Sequence, residues 1–264
     1  MKTVKHYIIR KMIVIAAAAL LAAAALVMSS CSSGAPDGFD GFEGKTILID
    51  GDSIQASHGK YLTVALERLG AGRIENHARI GAFLGNKATD PNSVYFRMRG
   101  MTAEQIRSFD CIFIAAGTND FGAVTNVGKV RVGDPYNFAP KVTTTCGGLD
   151  MIIRKIRSAS PETKIIVITP MYRYKGWVEF PIPAVTNCDE LKNRWDKTLA
   201  DYRNAIAMTA LKYPGVSVID GKQLMTLEEA HSLDCTVDYL HPRSDFARTV
   251  IADRAVRLLQ QYVK

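Results

Sequence analysis

The sequence predicts an α/β domain, a three-layer α/β/α sandwich built on a mostly parallel sheet of about five strands. Residues 46–49, 111–116 and 164–169 form short apolar runs, which are typical of parallel strands covered on both faces. Segments in which apolar residues recur with helical spacing separate these runs. Strands that alternate with helices indicate a doubly wound sheet, in which ligands bind beyond the carboxyl ends of the strands.

The elements follow in order along residues 45–264. The first strand runs into the polar turn 50–53 and then into a helix, whose apolar positions are Leu62, Val64, Ala65, Leu66 and Leu69. The further elements expected are a strand at 73–76, a helix at 102–108, a strand at 111–116, a helix at 148–158, a strand at 164–169, a helix at 193–212, a strand at 216–219 and a last helix at 245–262. Two longer segments, 121–145 and 171–190, are predicted to be loops.

Residues 1–30 are predicted to be a secretory signal and not part of the fold. The apolar run 12–28 follows a basic segment that contains Lys2, Lys5, Arg10 and Lys11. Small residues before Cys31 resemble a bacterial lipobox, although Met28 stands where leucine is usual. This resemblance implies cleavage before Cys31, a lipid on its thiol and a tether to a bacterial membrane at the cell envelope, facing the periplasm or the outside. The alternatives are ordinary cleavage nearby or an uncleaved anchor.

Residues 31–44 are small, polar and rich in glycine, so they are predicted to be a flexible tether from lipidated Cys31 to a domain at 45–264. About 220 residues suit one domain with a sizeable core, and a monomer is expected. The formal net charge of +7 includes four Lys or Arg before Cys31. The other basic residues are scattered, so no nucleic-acid partner is predicted.

Four cysteines follow Cys31. Cys111 lies in an apolar strand and is predicted to be a buried thiol, whereas Cys188 and Cys235 lie in loop-like segments that a disulfide could join in an exported protein. With Cys146, the four residues allow three pairings. No cysteine pair or histidine cluster has metal-ligand spacing, so the sequence predicts no zinc site.

Polar residues or glycines follow three of the predicted strands, and a C-terminal motif completes the set. Ser53 lies after the first strand at a helix start, where free N–H groups stabilise negative charge. Gly81 follows the second strand and Asn119 the central one, while Asp238 precedes His241 by three residues. Serine chemistry needs a hydroxyl, a base, a group that orients the base, and donors for an oxyanion.

Each of these residues fits one such role. Ser53 is the predicted nucleophile, His241 the base and Asp238 the group that fixes its tautomer. The predicted oxyanion donors are the backbone N–H groups of Ser53 and Gly81 and the side-chain amide of Asn119. A structural alternative stays open for each motif: a helix cap at the serine turn, a simple turn at Gly81, a cap at Asn119, and a buried structural histidine at His241.

Other titratable residues near these motifs have no catalytic assignment. Asp52 and Asp120 are predicted to brace the turns in which they lie. The histidines without a partner pattern, which we expect in the core or at the surface, are His58, His77 and His231.

The pattern resembles the SGNH (GDSL-like) hydrolase superfamily. The matching blocks occur in family order over nearly the whole predicted domain: GDSI at 51–54, Gly81 after Asn76, GTND at 117–120 and DYLHP at 238–242. Ile54 replaces the leucine of the family name, which leaves the chemistry untouched. The resemblance implies a flavodoxin-like sandwich and ester hydrolysis through an acyl-serine, without metal or organic cofactor. A G-x-S-x-G elbow is missing, which argues against the α/β-hydrolase route.

The sequence is less specific about the ester. Tyr172, Tyr174 and Trp177 suit stacking against a sugar, or equally a lid that packs on its own core. Neither long loop is continuously apolar, as an enzyme for long acyl chains requires. We therefore expect a carbohydrate O-acetylesterase that acts on an acylated small molecule or polysaccharide. The alternatives are a lipid or broad acyl-ester hydrolase of the lysophospholipase or thioesterase kind, and a catalytically silent glycan-binding surface lipoprotein.

Overall fold

A five-stranded parallel sheet forms the framework in the computed structural model, which describes residues 39–85, 89–122, 130–136, 141–175 and 186–261. Its strands are β1 (Thr46–Gly51), β2 (Arg73–Asn76), β3 (Cys111–Ala115), β4 (Lys164–Ile168) and β7 (Val216–Ile219). They lie in the order β2-β1-β3-β4-β7, and every neighbouring pair is parallel. A separate antiparallel pair consists of β5 (Tyr174–Lys175) and β6 (Thr186–Asn187). The predicted parallel sheet of five strands is confirmed.

Helices connect the strands. They are α1 (Ser53–Ala56), α2 (Tyr61–Arg68), α3 (Val94–Gly100), α4 (Ala103–Arg107), α5 (Thr118–Phe121), α6 (Thr145–Ala159), α7 (Leu199–Leu211), α8 (Leu227–Ala230), α9 (Ser244–Phe246) and α10 (Ala252–Gln260). A 3₁₀ turn covers Gly221–Gln223, and a π-helical segment, Ala247–Ile251, joins α9 to α10. The predicted last helix therefore changes its winding within its first two turns.

The sheet buries apolar residues on both faces, because successive side chains of a strand point in opposite directions. Ile47 and Phe113 belong to one apolar cluster, which includes residues of α2 and α10. Leu48 and Ile112 belong to a second cluster, which includes residues of α3, α6 and α7. Two helical layers around one sheet give the predicted α/β/α sandwich.

The strand register brings the first three strands to a common carboxyl edge. Ile49 pairs with both Asn76 and Phe113, and Gly51 pairs with Ala115. A Cβ atom at Gly51 would overlap the Ala115 carbonyl, so the close approach of these strands requires glycine. The turns that follow β1, β2 and β3 therefore begin side by side.

The start of the domain differs from the prediction. Phe39 and Phe42 are buried in the apolar cluster on the α2 face, and the Phe42 ring lies 6.1 Å from that of Phe113. The Gly44 N–H donates to the Gly70 carbonyl at 2.8 Å. The tether prediction for 31–44 is therefore wrong for residues 39–44, because the two phenylalanines outweigh the glycines around them. The predicted signal and Cys31 lie outside the described residues. Within the described residues, no helix is long and apolar enough to cross a membrane.

Two helix boundaries also differ from the sequence pattern. The helix predicted at 193–212 begins only at Leu199, after a capping box. In that box the Thr198 hydroxyl accepts from the Asp201 N–H at 3.2 Å, and the Asp201 carboxylate accepts from the Thr198 N–H at 2.8 Å. The sequence did not predict helix α3, because this helix is only seven residues long after its Ser93 N-cap and shows little helical periodicity of apolar residues.

Within the described residues, Cys111, Cys146, Cys188 and Cys235 form no disulfide. Cys111 is buried in β3, as predicted, and Cys146 and Cys188 are also buried. Cys188 packs with Phe121 and not with Cys235, so the disulfide considered between these two loops is not formed. Among the described residues, no group of His, Cys, Asp and Glu side chains could hold a metal ion.

Candidate active site

The turn after β1 places Ser53 at the start of a helix. The Asp52 Oδ1 accepts a hydrogen bond from the Ile54 N–H at 3.1 Å, so Asp52 is the N-cap of α1. The Asp52 N–H donates to the Ala115 carbonyl at 3.2 Å, which ties the turn to β3. Ser53 is 3% exposed, and its N–H has no acceptor among the residues that the structure describes. The capping alternative thus holds for Asp52 and leaves the Ser53 N–H available to a ligand.

An unbroken chain of hydrogen bonds joins Ser53, His241 and Asp238. The Ser53 Oγ lies 2.8 Å from His241 Nε2, and His241 Nδ1 lies 2.7 Å from Asp238 Oδ2. Burial acts to raise the pKa of Asp238, but hydrogen bonds from the His241 ring and backbone outweigh it and hold the pKa below its ordinary value. A carboxylate at Nδ1 favours the tautomer whose Nε2 accepts the serine proton. This arrangement can convert a serine hydroxyl into a nucleophile.

Local hydrogen bonds hold the Asp-x-x-His segment in a tight turn. The Asp238 Oδ1 accepts from the backbone N–H groups of Leu240 and His241, at 3.1 and 2.7 Å. Tyr239, between them, has a φ of 60°, a left-handed conformation that is uncommon for a tyrosine. The Val237 N–H donates to the His241 carbonyl at 2.9 Å and closes the turn. The i, i+3 spacing therefore brings the carboxylate to the far ring nitrogen of the histidine.

Gly81 and Asn119 meet on the loop after β2. Gly81 has a φ of 75°, and its N–H has no acceptor within the described part of the chain. The Asn119 Nδ2 donates one hydrogen to the Ala82 carbonyl at 3.0 Å, which leaves the second hydrogen of the amide for a ligand. The positive φ explains a glycine at position 81. Two of the predicted oxyanion donors therefore lie at the same loop, since Asn119 contacts the residue that follows Gly81, and their catalytic role stays a prediction.

Asp120 accepts hydrogen bonds from the same loop and fixes its position. Its buried carboxylate accepts from the N–H groups of Leu84 and Gly85 at 2.9 and 3.0 Å and from the Thr145 hydroxyl at 3.0 Å. Burial raises the pKa of Asp120 against these hydrogen bonds. Asp120 is thus placed as the predicted brace, while the neighbouring Asn119 points at the part of the loop that carries Gly81.

The sequence prediction missed the environment of His58. The His58 ring stacks on that of His241, with centroids 4.1 Å apart and planes 23° from parallel. Burial lowers the pKa of His58, and the charge on His241 lowers it further. No spacing pattern marks such a pair, because the two histidines are far apart in the sequence. Only the position of His58 just after the serine helix could have pointed to it.

A buried ion pair that the sequence also did not show anchors the end of β1. The Arg97 guanidinium in α3 donates to both carboxylate oxygens of Asp50, with Nε 3.2 Å from Oδ2. The side chains of Asp50 and Arg97 are 2% and 9% exposed. Burial raises the pKa of Asp50, whereas the hydrogen bond and charge of Arg97 act in the opposite direction. The ion pair fixes α3 to β1, which leads into the turn at residues 50–53 that carries the predicted nucleophile, called here the nucleophile turn.

The aromatic residues proposed to stack on a sugar have partners within the protein. The Arg203 guanidinium lies over the Tyr172 ring at 5.2 Å, and the Tyr174 ring stacks on His231 at 4.5 Å. Trp177 lies outside the described residues. These contacts agree with the alternative in which the segment packs on its own core, and a role in substrate binding stays a prediction.

Comparisons with solved structures show the same fold in several microbial proteins. A Lactobacillus plantarum protein is 22% identical and has a TM-score of 0.61, with 83% of this chain and 97% of that chain covered. A possible lipase from Chitinophaga pinensis is 22% identical, with a TM-score of 0.56 and coverage of 82% and 98%. The psychrotrophic esterase EstA from Pseudoalteromonas is 15% identical, with a TM-score of 0.53 and coverage of 83% and 98%.

The sequence itself matches one family over most of its length. The chain matches no curated protein sequence. The model of the GDSL-like Lipase/Acylhydrolase family matches residues 50–248, a range that contains Ser53, Asp238 and His241. Because the matched residues make up most of the chain, the chain belongs to the GDSL-like lipase/acylhydrolase family, a family of ester hydrolases.

Proposed function

We propose that this protein is a serine esterase that removes acetyl groups from carbohydrates through an acyl-serine intermediate. The observation that carries the hydrolase chemistry is the contact of the Ser53 hydroxyl with His241 Nε2 at 2.8 Å, while Asp238 holds the other ring nitrogen at 2.7 Å. A base within hydrogen-bond reach of a hydroxyl, and oriented by a third group, is the arrangement that nucleophilic catalysis requires.

The reaction proceeds in two halves. His241 Nε2 takes the Ser53 proton while Oγ attacks the acyl carbonyl, and the resulting oxyanion accepts from the N–H groups of Ser53 and Gly81 and from the Asn119 amide. His241 returns the proton to the alcohol oxygen as the ester bond breaks, so the alcohol leaves and the acyl group stays on Ser53. Water then gives a proton to His241 and attacks the acyl-serine. Loss of the serine alkoxide, which takes the proton back from His241, releases the acid.

The surroundings of the site support a polar substrate. A groove of about 880 Å³ lies beside the nucleophile turn, between the segment after β2 and helices α3 and α4. Seven of its eleven lining residues have polar or charged side chains: Asn76, His77, Arg79, Thr89, Arg97, Arg99 and Gln105. A long acyl chain needs an apolar channel, whereas sugar hydroxyls need hydrogen-bonding groups. This lining therefore favours a carbohydrate ester over a lipid ester.

The location is part of the proposal. A lipid on Cys31 would hold the enzyme at the cell envelope, where acetylated polysaccharides are accessible. The anchor rests on the resemblance of the N-terminal segment to a lipobox, and globomycin treatment of the expressing cells tests it. Accumulation of the uncleaved chain is the expected result, and normal processing would contradict lipidation at Cys31.

The first experiment compares acetyl, butyryl and octanoyl p-nitrophenyl esters as substrates for the full chain. Ser53→Ala should abolish turnover, with a loss of at least about 10³-fold, because no other hydroxyl contacts His241 among the described residues. Ser158→Ala is the matched control, since this exposed serine in the last turn of α6 makes no contact with Ser53 or His241 in the described structure and should keep full activity. Asn119→Ala should cost about 10²- to 10³-fold in kcat if its amide binds the oxyanion.

The outcomes separate the candidate functions. Highest activity on the acetyl ester, lost in Ser53→Ala, supports a small acyl pocket and the acetylesterase proposal. Preference for the octanoyl ester would contradict it and favour a lipid or broad acyl-ester hydrolase. Glycan binding without turnover of any ester would favour a binding protein on the same fold.

A further inference from the structure

We propose that the groove beside the nucleophile turn binds an acidic saccharide, so that the ester substrate is an acetylated sugar chain that carries carboxylate groups. This inference rests on the proposed function, because it assigns the substrate class of the same site. The groove is the one lined by the segment 76–79 and by residues of α3 and α4.

The charge of the groove is the first argument. Four cationic or titratable basic residues line it, namely His77, Arg79, Arg97 and Arg99, and none of the described lining residues is Asp or Glu. Arg97 is committed to Asp50, and His77 Nε2 lies 3.2 Å from a Glu75 carboxylate oxygen outside the groove. Two positive charges are therefore left without compensation inside the groove.

Those two charges belong to Arg79 and Arg99. Both residues are exposed, and neither makes an ion pair or a side-chain hydrogen bond with the described part of the chain. A guanidinium group presents paired N–H donors that match a carboxylate in two parallel hydrogen bonds. Two such groups in one groove are suited to a ligand with more than one acidic group.

One wall of the groove is hydrogen-bonded to the segment that carries Ser53. The Arg79 N–H donates to the Gly51 carbonyl at 3.1 Å, and the Asn76 side chain donates to the Gln55 carbonyl at 2.9 Å. These bonds fasten one wall of the groove to the turn and helix that carry the nucleophile. Arg79 also precedes Gly81 by two residues, which limits the distance between their Cα atoms to about 7 Å. The backbone of Arg79 therefore lies close to one predicted oxyanion donor, the N–H of Gly81.

The remaining lining suits a saccharide better than a peptide or a lipid. Phe96 is 38% exposed and offers an aromatic face, and Met101 adds a second apolar contact. Thr89 and Gln105 add a hydroxyl and an amide group to the lining. Apolar faces that alternate with hydrogen-bonding groups match the C–H faces and hydroxyls of a sugar ring. A volume of about 880 Å³ exceeds what an acetyl group needs, so the groove holds the part of the substrate that does not react.

Binding to the catalytically inactive Ser53→Ala chain tests this inference without any need for turnover. Calorimetry at low salt compares trigalacturonate, which is acidic, with mannotriose, which is neutral. Trigalacturonate should bind more tightly, and its Kd should rise about two- to five-fold on Arg79→Gln or Arg99→Gln and about ten-fold in the double variant. Added salt should weaken the same complex. Arg257→Gln, at an exposed arginine of α10 outside the groove, is the matched control and should leave the Kd unchanged.

Three results would overturn the inference. They are equal affinity for the two trisaccharides, a Kd for trigalacturonate that does not respond to the double variant, and polyglutamate binding as tight as that of trigalacturonate. The last result would show a site for any polyanion and not for a sugar. If the wild-type chain cleaves no ester while trigalacturonate binding depends on Arg79 and Arg99, the proposed esterase activity fails and the acidic-saccharide site stands.

Discussion

Asp52 offers a quantitative test of how the nucleophile turn is built. Its carboxyl group is buried, at 3% exposure, and accepts one hydrogen bond, from the Ile54 N–H at 3.1 Å. Burial raises the pKa of Asp52 from 3.8 to about 7, since the ionised form loses its hydration. The hydrogen bond from Ile54 and the charge on His241 lower the pKa, but they do not compensate for burial.

The raised pKa makes the fold less stable as the pH rises. Below about pH 4, Asp52 is protonated in both the folded and the unfolded chain. The contribution of the raised Asp52 pKa to the free energy of unfolding is then fully present. Between about pH 4 and 7 the unfolded chain releases the proton while the folded chain keeps it, so unfolding becomes easier. The full shift, from 3.8 to about 7, corresponds to about 4 kcal/mol at about 1.4 kcal/mol per pKa unit.

Asp52→Asn removes this titration and keeps an oxygen that can cap Ile54. Urea unfolding at constant ionic strength, from pH 4.5 to 8, measures the free energy of unfolding of both chains. The wild type should lose about 3 kcal/mol relative to the variant between pH 4.5 and 8, because about 1 kcal/mol of the full effect is already lost at pH 4.5. Asp220→Asn is the control. It makes the same exchange at a more exposed N-cap, where Asp220 Oδ1 accepts from the Lys222 N–H at 3.0 Å. Its change in the free energy of unfolding measures the cost of replacing a capping aspartate by asparagine.

A difference between wild type and Asp52→Asn that stays constant from pH 4.5 to 8 would refute the reasoning. It would mean that the folded chain ionises Asp52 as easily as the unfolded chain does, and therefore that water or a positive charge reaches the carboxylate. The difference between the two chains isolates Asp52 from the other buried acids, because those titrate in both.

Substitutions at two further residues test the contacts around the site. Asp120→Ala leaves the N–H groups of Leu84 and Gly85 without an acceptor, which costs about 1–3 kcal/mol of folding stability for each group. Urea unfolding should therefore show a large loss of stability, and ester assays a parallel loss of activity. An unchanged free energy of unfolding would contradict the bracing role. His58→Phe should keep the ring stack on His241 and a kcat within about two-fold of wild type, whereas His58→Ala should lose about two- to ten-fold. Equal kcat values for the two His58 variants would show that the stack does not position His241.

The parts of the fold that depend on local pattern could be predicted from the sequence. The apolar runs of β1, β3 and β4 are buried on both faces, so their composition alone marks them as central strands. Their carboxyl ends must lie together in a parallel sheet, which is why Ser53 and Asn119 could be placed on one edge. Asp238 and His241 could be paired because three residues and a turn fix their distance.

Contacts between distant segments could not be predicted in this way. The stack of His58 on His241 and the ion pair of Asp50 with Arg97 join residues that no spacing relates. Phe39 was assigned to a tether because its neighbours are small and polar, yet burial of its ring decides its place. In each case tertiary packing outweighs a local pattern, and only coordinates show the partner.

The hydrogen bond between Ser53 and His241 connects residues that are 188 positions apart in the sequence. Every described strand except β1 lies between them in the sequence. A growing chain therefore carries its nucleophile early but acquires its base almost last. Until the segment after α8 is made and folded against the first turn, the serine is an ordinary hydroxyl. In the proposed mechanism, hydrolytic activity therefore reports completion of the whole domain, and a chain cut before residue 238 should not hydrolyse esters.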